Sequence, residues 1–209
     1  MARTSNPLIG KSRNKIGGVV MSTWKGINVL REKPATVANP NTNAQQAQRS
    51  VMRQLVAMAR AILSTLHVSF RQEAVEQSQY NAFIHANAPQ AFTKSGATAT
   101  FVPANLVVAK GTLIEPEDLT ATVDTGRDYD LAWTDNTGDS GANASDRFTA
   151  VVVNAAGTVI KTITTAATRA SAGVSITIPG AWSLTGARLA GFFTTTSGEQ
   201  SSDSVNVAL

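Results

Sequence analysis

Cysteine is absent from these 209 residues. That excludes a disulfide framework, thiolate metal sites and a cysteine nucleophile, and it fits a chain made in a reducing compartment. Histidine is nearly absent too. The two that exist, His67 and His85, are far apart in sequence and read as surface or helix-packing side chains. No apolar run approaches the roughly 20 residues that a membrane helix requires. The first ten residues lack the apolar centre of a secretory signal. The expectation is a cytoplasmic product that leaves the cell, if at all, inside a particle released by lysis.

Reactive patterns are missing as well. The stretch Gly10–Gly18 lacks Gly-Lys-Ser/Thr in phosphate-loop spacing, since Gly10-Lys11-Ser12 has Ser5 where the first glycine would stand, and it lacks G-x-G-x-x-G; no G-x-S-x-G nucleophile elbow occurs in the chain. The carboxylates crowd into expected turns: Glu115, Glu117 and Asp118, then Asp124, Asp128 and Asp130, then Asp135 and Asp139. Asp128-Tyr129-Asp130 places two acids on one face of a strand. Calcium requires six to eight oxygens and a regular acidic loop, which these acids do not form. They read as turn and solubility residues. No catalytic residue, metal or cofactor is assigned.

What the chain does have is a division of charge. Up to Lys94 there are twelve Lys/Arg against three Glu, a net of +9. Beyond it there are six Lys/Arg against eleven Asp/Glu, a net of −5. The first part is rich in Arg, Gln, Asn and Met, the second in Val, Thr, Ala, Gly and Asp. A basic helical part joined to an acidic strand-rich part suits a binding or assembly protein.

Residues 1–15 carry Arg3, Lys11, Arg13 and Lys15 with no acid, and read as a mobile basic arm. The β-branched residues of 16–31 favour a hairpin, with Lys25-Gly26 at its turn and Trp24 and Ile27 beside it. A lone hairpin is marginal in water and should pack on its own helix or on a neighbouring subunit. After Pro34, Asn39-Pro40-Asn41-Thr42 offers helix caps. One long helix is expected over Thr42–Gln72 and a shorter one over Glu73–His85, stopped by Asn87-Ala88-Pro89. Val51, Leu55, Met58, Ile62 and Leu66 fall on one side of the long helix. Arg49, Arg53, Arg60 and Arg71 fall on the other.

From about Ala97 short strand-like runs alternate with turn signals. They are Asn105–Ala109, Leu119–Asp124, Tyr129–Thr134, Arg147–Asn154, Thr158–Thr164, Gly173–Ile178, Arg188–Thr195 and Ser204–Ala208. This spacing predicts an antiparallel immunoglobulin- or fibronectin-like β-sandwich, with Trp133, Phe148, Trp182 and Phe192 or Phe193 in its core. The fold class is therefore α+β: an N-terminal β-hairpin with a long and a short helix, then the sandwich. The domains expected are a basic arm (1–15), a hairpin-helix module (16–94) and a sandwich (97–209).

Three segments resemble a family found in Bacteroidota genomes and their phages and known as a domain of unknown function. The first runs from Gly10-Lys11 through Lys15-Ile16-Gly17-Gly18-Val19-Val20 and Trp24-Lys25-Gly26-Ile27-Asn28-Val29-Leu30-Arg31 to Pro34. The second is Asn39-Pro40-x-Thr42-x-x-Gln45-x-x-x-Arg49. The third is Ser78-x-Tyr80-Asn81-x-Phe83, followed by Asn87. The specific match covers about Gly10–Asn87 and the remainder agrees in architecture. The resemblance implies no activity and no catalytic residue; its phage association implies a component of a particle.

The expected function is thus a non-enzymatic structural protein of a bacteriophage virion, multi-copy, capsid before tail, assembling through the hairpin-helix module. The contact residues expected are Lys11, Arg13, Lys15, Trp24, Lys25, Arg31, Arg49, Arg53, Arg60 and Arg71. Expected partners are copies of itself, other virion proteins and, through the basic arm, packaged nucleic acid, with no membrane. Opposite charges within one chain favour head-to-tail contacts that form rings, shells or filaments. The alternatives are a ligand- or cell-surface-binding module and a sequence-independent nucleic-acid packaging protein.

Overall fold

The structure is a computed structural model that describes residues 2–4, 14–24, 27–37 and 39–209. The chain divides into two compact units, Met1–Asn41 and Thr42–Leu209. The first is a four-stranded antiparallel sheet. Its strands are β1 (Ala2–Thr4), β2 (Asn14–Ile16), β3 (Val19–Trp24) and β4 (Ile27–Glu32), in the order β1-β4-β3-β2. The register pairs Trp24 with Ile27, which leaves Lys25-Gly26 as the connection expected of the central hairpin. The flanking strands correct the reading of residues 1–15 as a wholly mobile arm. Gly17, at a φ of +58°, permits the two-residue turn that joins Ile16 to Val19 and so recruits Asn14–Ile16 to the sheet.

The second unit begins with α1 (Asn43–Ala61), α2 (Leu63–Ser69) and α3 (Gln79–Asn87). At the start of α1, the Gln45 amide N–H donates to the Thr42 hydroxyl (3.4 Å) and the Thr42 amide N–H donates to Gln45 Oε1 (3.1 Å). The Thr-x-x-Gln of the second motif is therefore a capping box that satisfies two otherwise orphaned donors. Thr42→Ala is expected to cost about 1 kcal/mol, read from the urea midpoint at unchanged slope.

Val51, Leu55, Met58, Ile62 and Leu66 are buried, as their periodicity requires. The single long helix, however, breaks at Ile62, whose backbone leaves the helical region (φ −119°, ψ 28°) while its side chain stays in the core. Neither Pro nor Gly marks the break, and nothing local in the sequence explains it. The short helix starts later than expected because Glu76 adopts a positive φ of 59° and Ser78 supplies the N-cap, accepting from the Asn81 amide (3.2 Å). Phe83 is fully buried and meets Phe70 edge-on, with ring centres 5.8 Å apart.

A hairpin that the sequence reading missed follows: β5 (Phe92–Ser95) and β6 (Thr98–Phe101), which α1 packs against. The strand expected at Asn105–Ala109 does not form. After a 3-10 turn at Pro103–Asn105 the backbone is held by side chains. Asn87 accepts from the Val107 amide and donates to the Val107 carbonyl, both at 2.8 Å. Ser69 donates to the Val108 carbonyl (2.7 Å), and the Val108 amide donates to Ser204 (3.1 Å). These bonds take the place of a ladder partner.

The remaining strands are β7 (Glu117–Val123), β8 (Asp128–Thr134), β9 (Arg147–Val153), β10 (Ile160–Thr168), β11 (Gly173–Thr177), β12 (Arg188–Thr194) and β13 (Val205–Ala208). They form an antiparallel sandwich of two sheets, β11-β8-β7 and β10-β9-β12-β13. Between the sheets lie Trp133, Phe148 and Phe193, with Trp133 stacked on Phe148 at 4.3 Å. Trp182 sits at the margin of this core, half-buried. Phe192 faces the other way. With Val151, Val153 and Ile160 it forms a second core against α1, α2 and α3. The helices and the β10-β9-β12-β13 sheet thus share one interior, and the boundary expected at 94–97 runs through the middle of a compact unit.

Candidate interaction surface

Lys15, Val20 and Arg31 form one row across β2, β3 and β4, because Lys15 pairs with Val20 and Val20 with Arg31. Antiparallel partners point to the same side, so two exposed cations flank a half-buried valine. Ile27 and Val29 continue that face. Met21 and Leu30 pair directly on the other, with Val19 beside them. None of the residues of this unit whose side chains are described is buried, although Val20, Met21, Ile27, Val29 and Leu30 are all apolar. Trp24 ends β3, but its side chain, like Lys11, Arg13 and Lys25, lies outside the described set.

In the second unit Arg49, Arg53 and Arg60 are exposed on the side of α1 turned away from its buried stripe. They border a shallow groove floored by Met52, Val56 and Ala57. No acidic residue occurs in α1, and none of the ion pairs among the described residues uses Arg53 or Arg60. Arg71 is not on α1 and falls beyond the end of α2 at Ser69. It lies in the turn after α2, 4.0 Å from Glu199, with both side chains mostly exposed. Such a pair contributes less than about 1 kcal/mol.

The acids also have a definite place. In β8 Tyr129, Leu131 and Trp133 point inward, so Asp130, Ala132 and Thr134 point out, with Asp128 half-exposed beside them. Thr177 donates to Asp128 (2.6 Å), Ser175 to Asp130 (2.5 Å) and Thr134 to Asp118 (3.3 Å). Glu117 pairs with Thr134 and faces the same way. Strands β7, β8 and β11 contain no Lys, Arg or His. The outer face of the three-stranded sheet therefore carries four carboxylates over short Thr, Ser, Ala and Gly residues.

Other polar groups hold the fold. Lys110 donates to Glu73 at 2.8 Å, and that hydrogen bond holds its ammonium above the ordinary lysine value. The stabilisation is complete below that ordinary value and is lost as pH rises through the shifted one; with both groups well exposed it stays below about 1 kcal/mol. Asp135 is held below the usual carboxylate range by donation from the Thr137 hydroxyl and amide, a turn contact. Both histidines are exposed. Among the described residues no group of His, Asp or Glu could hold a metal ion, and no helix is long and apolar enough to cross a membrane. The reading of the sequence missed one polar centre entirely: Arg169 and Asp146, both buried, for which no motif exists.

Residues 10–208 match a family model described as "Family of unknown function (DUF6266)". The match extends through the strand-rich half as well as the three N-terminal motifs. No curated protein and no solved structure matches the chain.

Proposed function

Since the chain belongs to that family, which brings no known activity with it, we propose that it is a non-enzymatic structural protein, present in many copies in a bacteriophage particle, capsid before tail. Its N-terminal sheet is the principal subunit contact. One observation carries this reading: a sheet of valine, isoleucine, leucine and methionine forms a compact unit of its own, and none of its residues whose side chains are described is buried. A sheet of this kind gains stability only by covering an apolar face. Completing the burial of half-covered side chains contributes roughly 1 kcal/mol each. The resemblance of the three N-terminal motifs to a phage-associated family supports the particle, and the absence of a reactive motif supports the non-enzymatic class.

The test is the mass of the intact chain by light scattering after gel filtration, with negative-stain imaging of the product. The expected result is a multimer of defined shape. Two variants divide the sheet: Val20→Glu with Val29→Glu on one face, and Met21→Glu with Leu30→Glu on the other. The variant on the docking face should fall to smaller species. A wild-type chain that stays monomeric at millimolar concentration binds itself more weakly than about 4 kcal/mol, and that result overturns the proposal.

A further inference from the structure

The two cores of the second unit lie on opposite faces of the β10-β9-β12-β13 sheet. The arginine side of α1 is turned away from the first core, and the carboxylate face of β11-β8-β7 is turned away from the second. The basic and acidic surfaces therefore sit at opposite ends of one layered body. We infer that they are the two halves of a second contact between copies: the Arg49-Arg53-Arg60 ridge of one chain docks on the outer face of the three-stranded sheet of the next. The inference rests on the assembly proposed above and specifies a further interface within it.

Charge and shape agree on this occupant. The ridge brings three guanidiniums and no acid; the sheet face brings Glu117, Asp118, Asp128 and Asp130 and no cation. Thr120, Thr122, Ala132 and Ser175 are short, so a helix can lie on the sheet without obstruction. Met52, 37% exposed, would be covered there. Because the two surfaces lie at opposite ends of the second unit, a two-fold dimer cannot pair both at once, so the contact propagates head to tail. Its size makes it secondary. Two strands of seven residues and one of five present roughly 300 Å², against about 800 Å² per partner in a stable complex. Copies already held through another interface make such a contact effectively intramolecular.

The experiment is sedimentation velocity on the full chain, with R53E/R60E, with D128K/D130K, and with the two variants mixed. Each variant alone sets like charges against each other and should weaken multimer growth by about tenfold or more. Raising salt from about 0.1 M to about 1 M, which shortens the screening length from about 10 Å to about 3 Å, should weaken growth of the wild type in the same way. The equimolar mixture should restore growth, because each variant then meets the charge it lacks. D128N/D130N keeps the Thr177 and Ser175 hydrogen bonds and should show an intermediate loss, which separates charge from folding. Wild-type multimers that neither variant impairs overturn this contact and leave the proposed assembly standing; a wild-type monomer overturns both. A mixture that fails to recover overturns the pairing. So does R53E/R60E that assembles normally while losing affinity for single-stranded DNA, which would assign the ridge to phosphates.

Discussion

Asp146→Ala is expected to remove about 3–5 kcal/mol of folding stability and to lower the melting temperature of the second unit by about 10 °C or more. The Arg169 side chain is fully buried, and almost every donor of its guanidinium has a fixed target. Nε and Nη2 donate to Asp146 Oδ2, each at 3.2 Å. Nη1 donates to Asn136 (2.6 Å) and Nη2 also to the Ile114 carbonyl (2.9 Å). The guanidinium carbon lies 4.0 Å from the centre of the Phe193 ring. Trp133 Nε1 donates to the Arg169 carbonyl, and the Arg169 amide to that of Asp146. The charge thus ties the segment before β7, the loop after β8 and the end of β10 to the aromatic core. Removing the carboxylate leaves a buried cation without its counter-charge, and the cost is the desolvation of that orphan more than the lost attraction. Asp146→Leu combined with Arg169→Met removes both charges, and it should recover a large part of the loss because an apolar pair of similar volume needs no solvation. Urea denaturation of the single and double variants reads the difference. A single variant within 1 kcal/mol of wild type, on the scale of an exposed pair, would show that water reaches the guanidinium.

Nothing in Thr168-Arg169-Ala170-Ser171 marks that arginine as interior, because its partners are 23 to 55 residues away in sequence. The same reason hides the clamp on Val107, whose ladder is made by Asn87 and not by a strand. Periodicity succeeds where one face of an element is wet. β8 alternates buried and exposed residues along Tyr129–Thr134, and α1 buries a residue at every turn from Ala47 to Met58. It misleads where both faces are dry. β9 buries Ala150 to Val153 in succession and β12 buries Leu189 to Thr194. Such unbroken runs belong to a sheet covered on both sides, and reading them as ordinary sandwich strands placed a domain boundary at 94–97. The division of charge was legible; its location on two opposed faces was not, since that depends on how the layers stack. Arg71 has a wheel position only within a helix that reaches it, and α2 ends at Ser69.

Phe192→Ala and Phe193→Ala test the layered body directly. Each is expected to cost about 3–5 kcal/mol, for different reasons. Phe192 belongs to the core that joins the β10-β9-β12-β13 sheet to α1, α2 and α3. Phe193 belongs to the core between the sheets, edge-on to Trp133 at 5.8 Å and to Phe148 at 5.7 Å. Adjacent in sequence, the two rings share no cluster, so the double variant should lose nearly the sum of the single losses. If residues 42–209 are one cooperative unit, helical ellipticity and the near-ultraviolet signal of the Trp133–Phe148 stack fall at the same midpoint in the wild type. Both single variants then move the two signals together. A Phe192→Ala variant whose helical signal melts early, while the near-ultraviolet signal keeps its wild-type midpoint, would mean that the helices and the sandwich fold separately. The arginine ridge and the acidic sheet would then no longer be opposite ends of one rigid block, and a head-to-tail contact between copies would lose its fixed geometry.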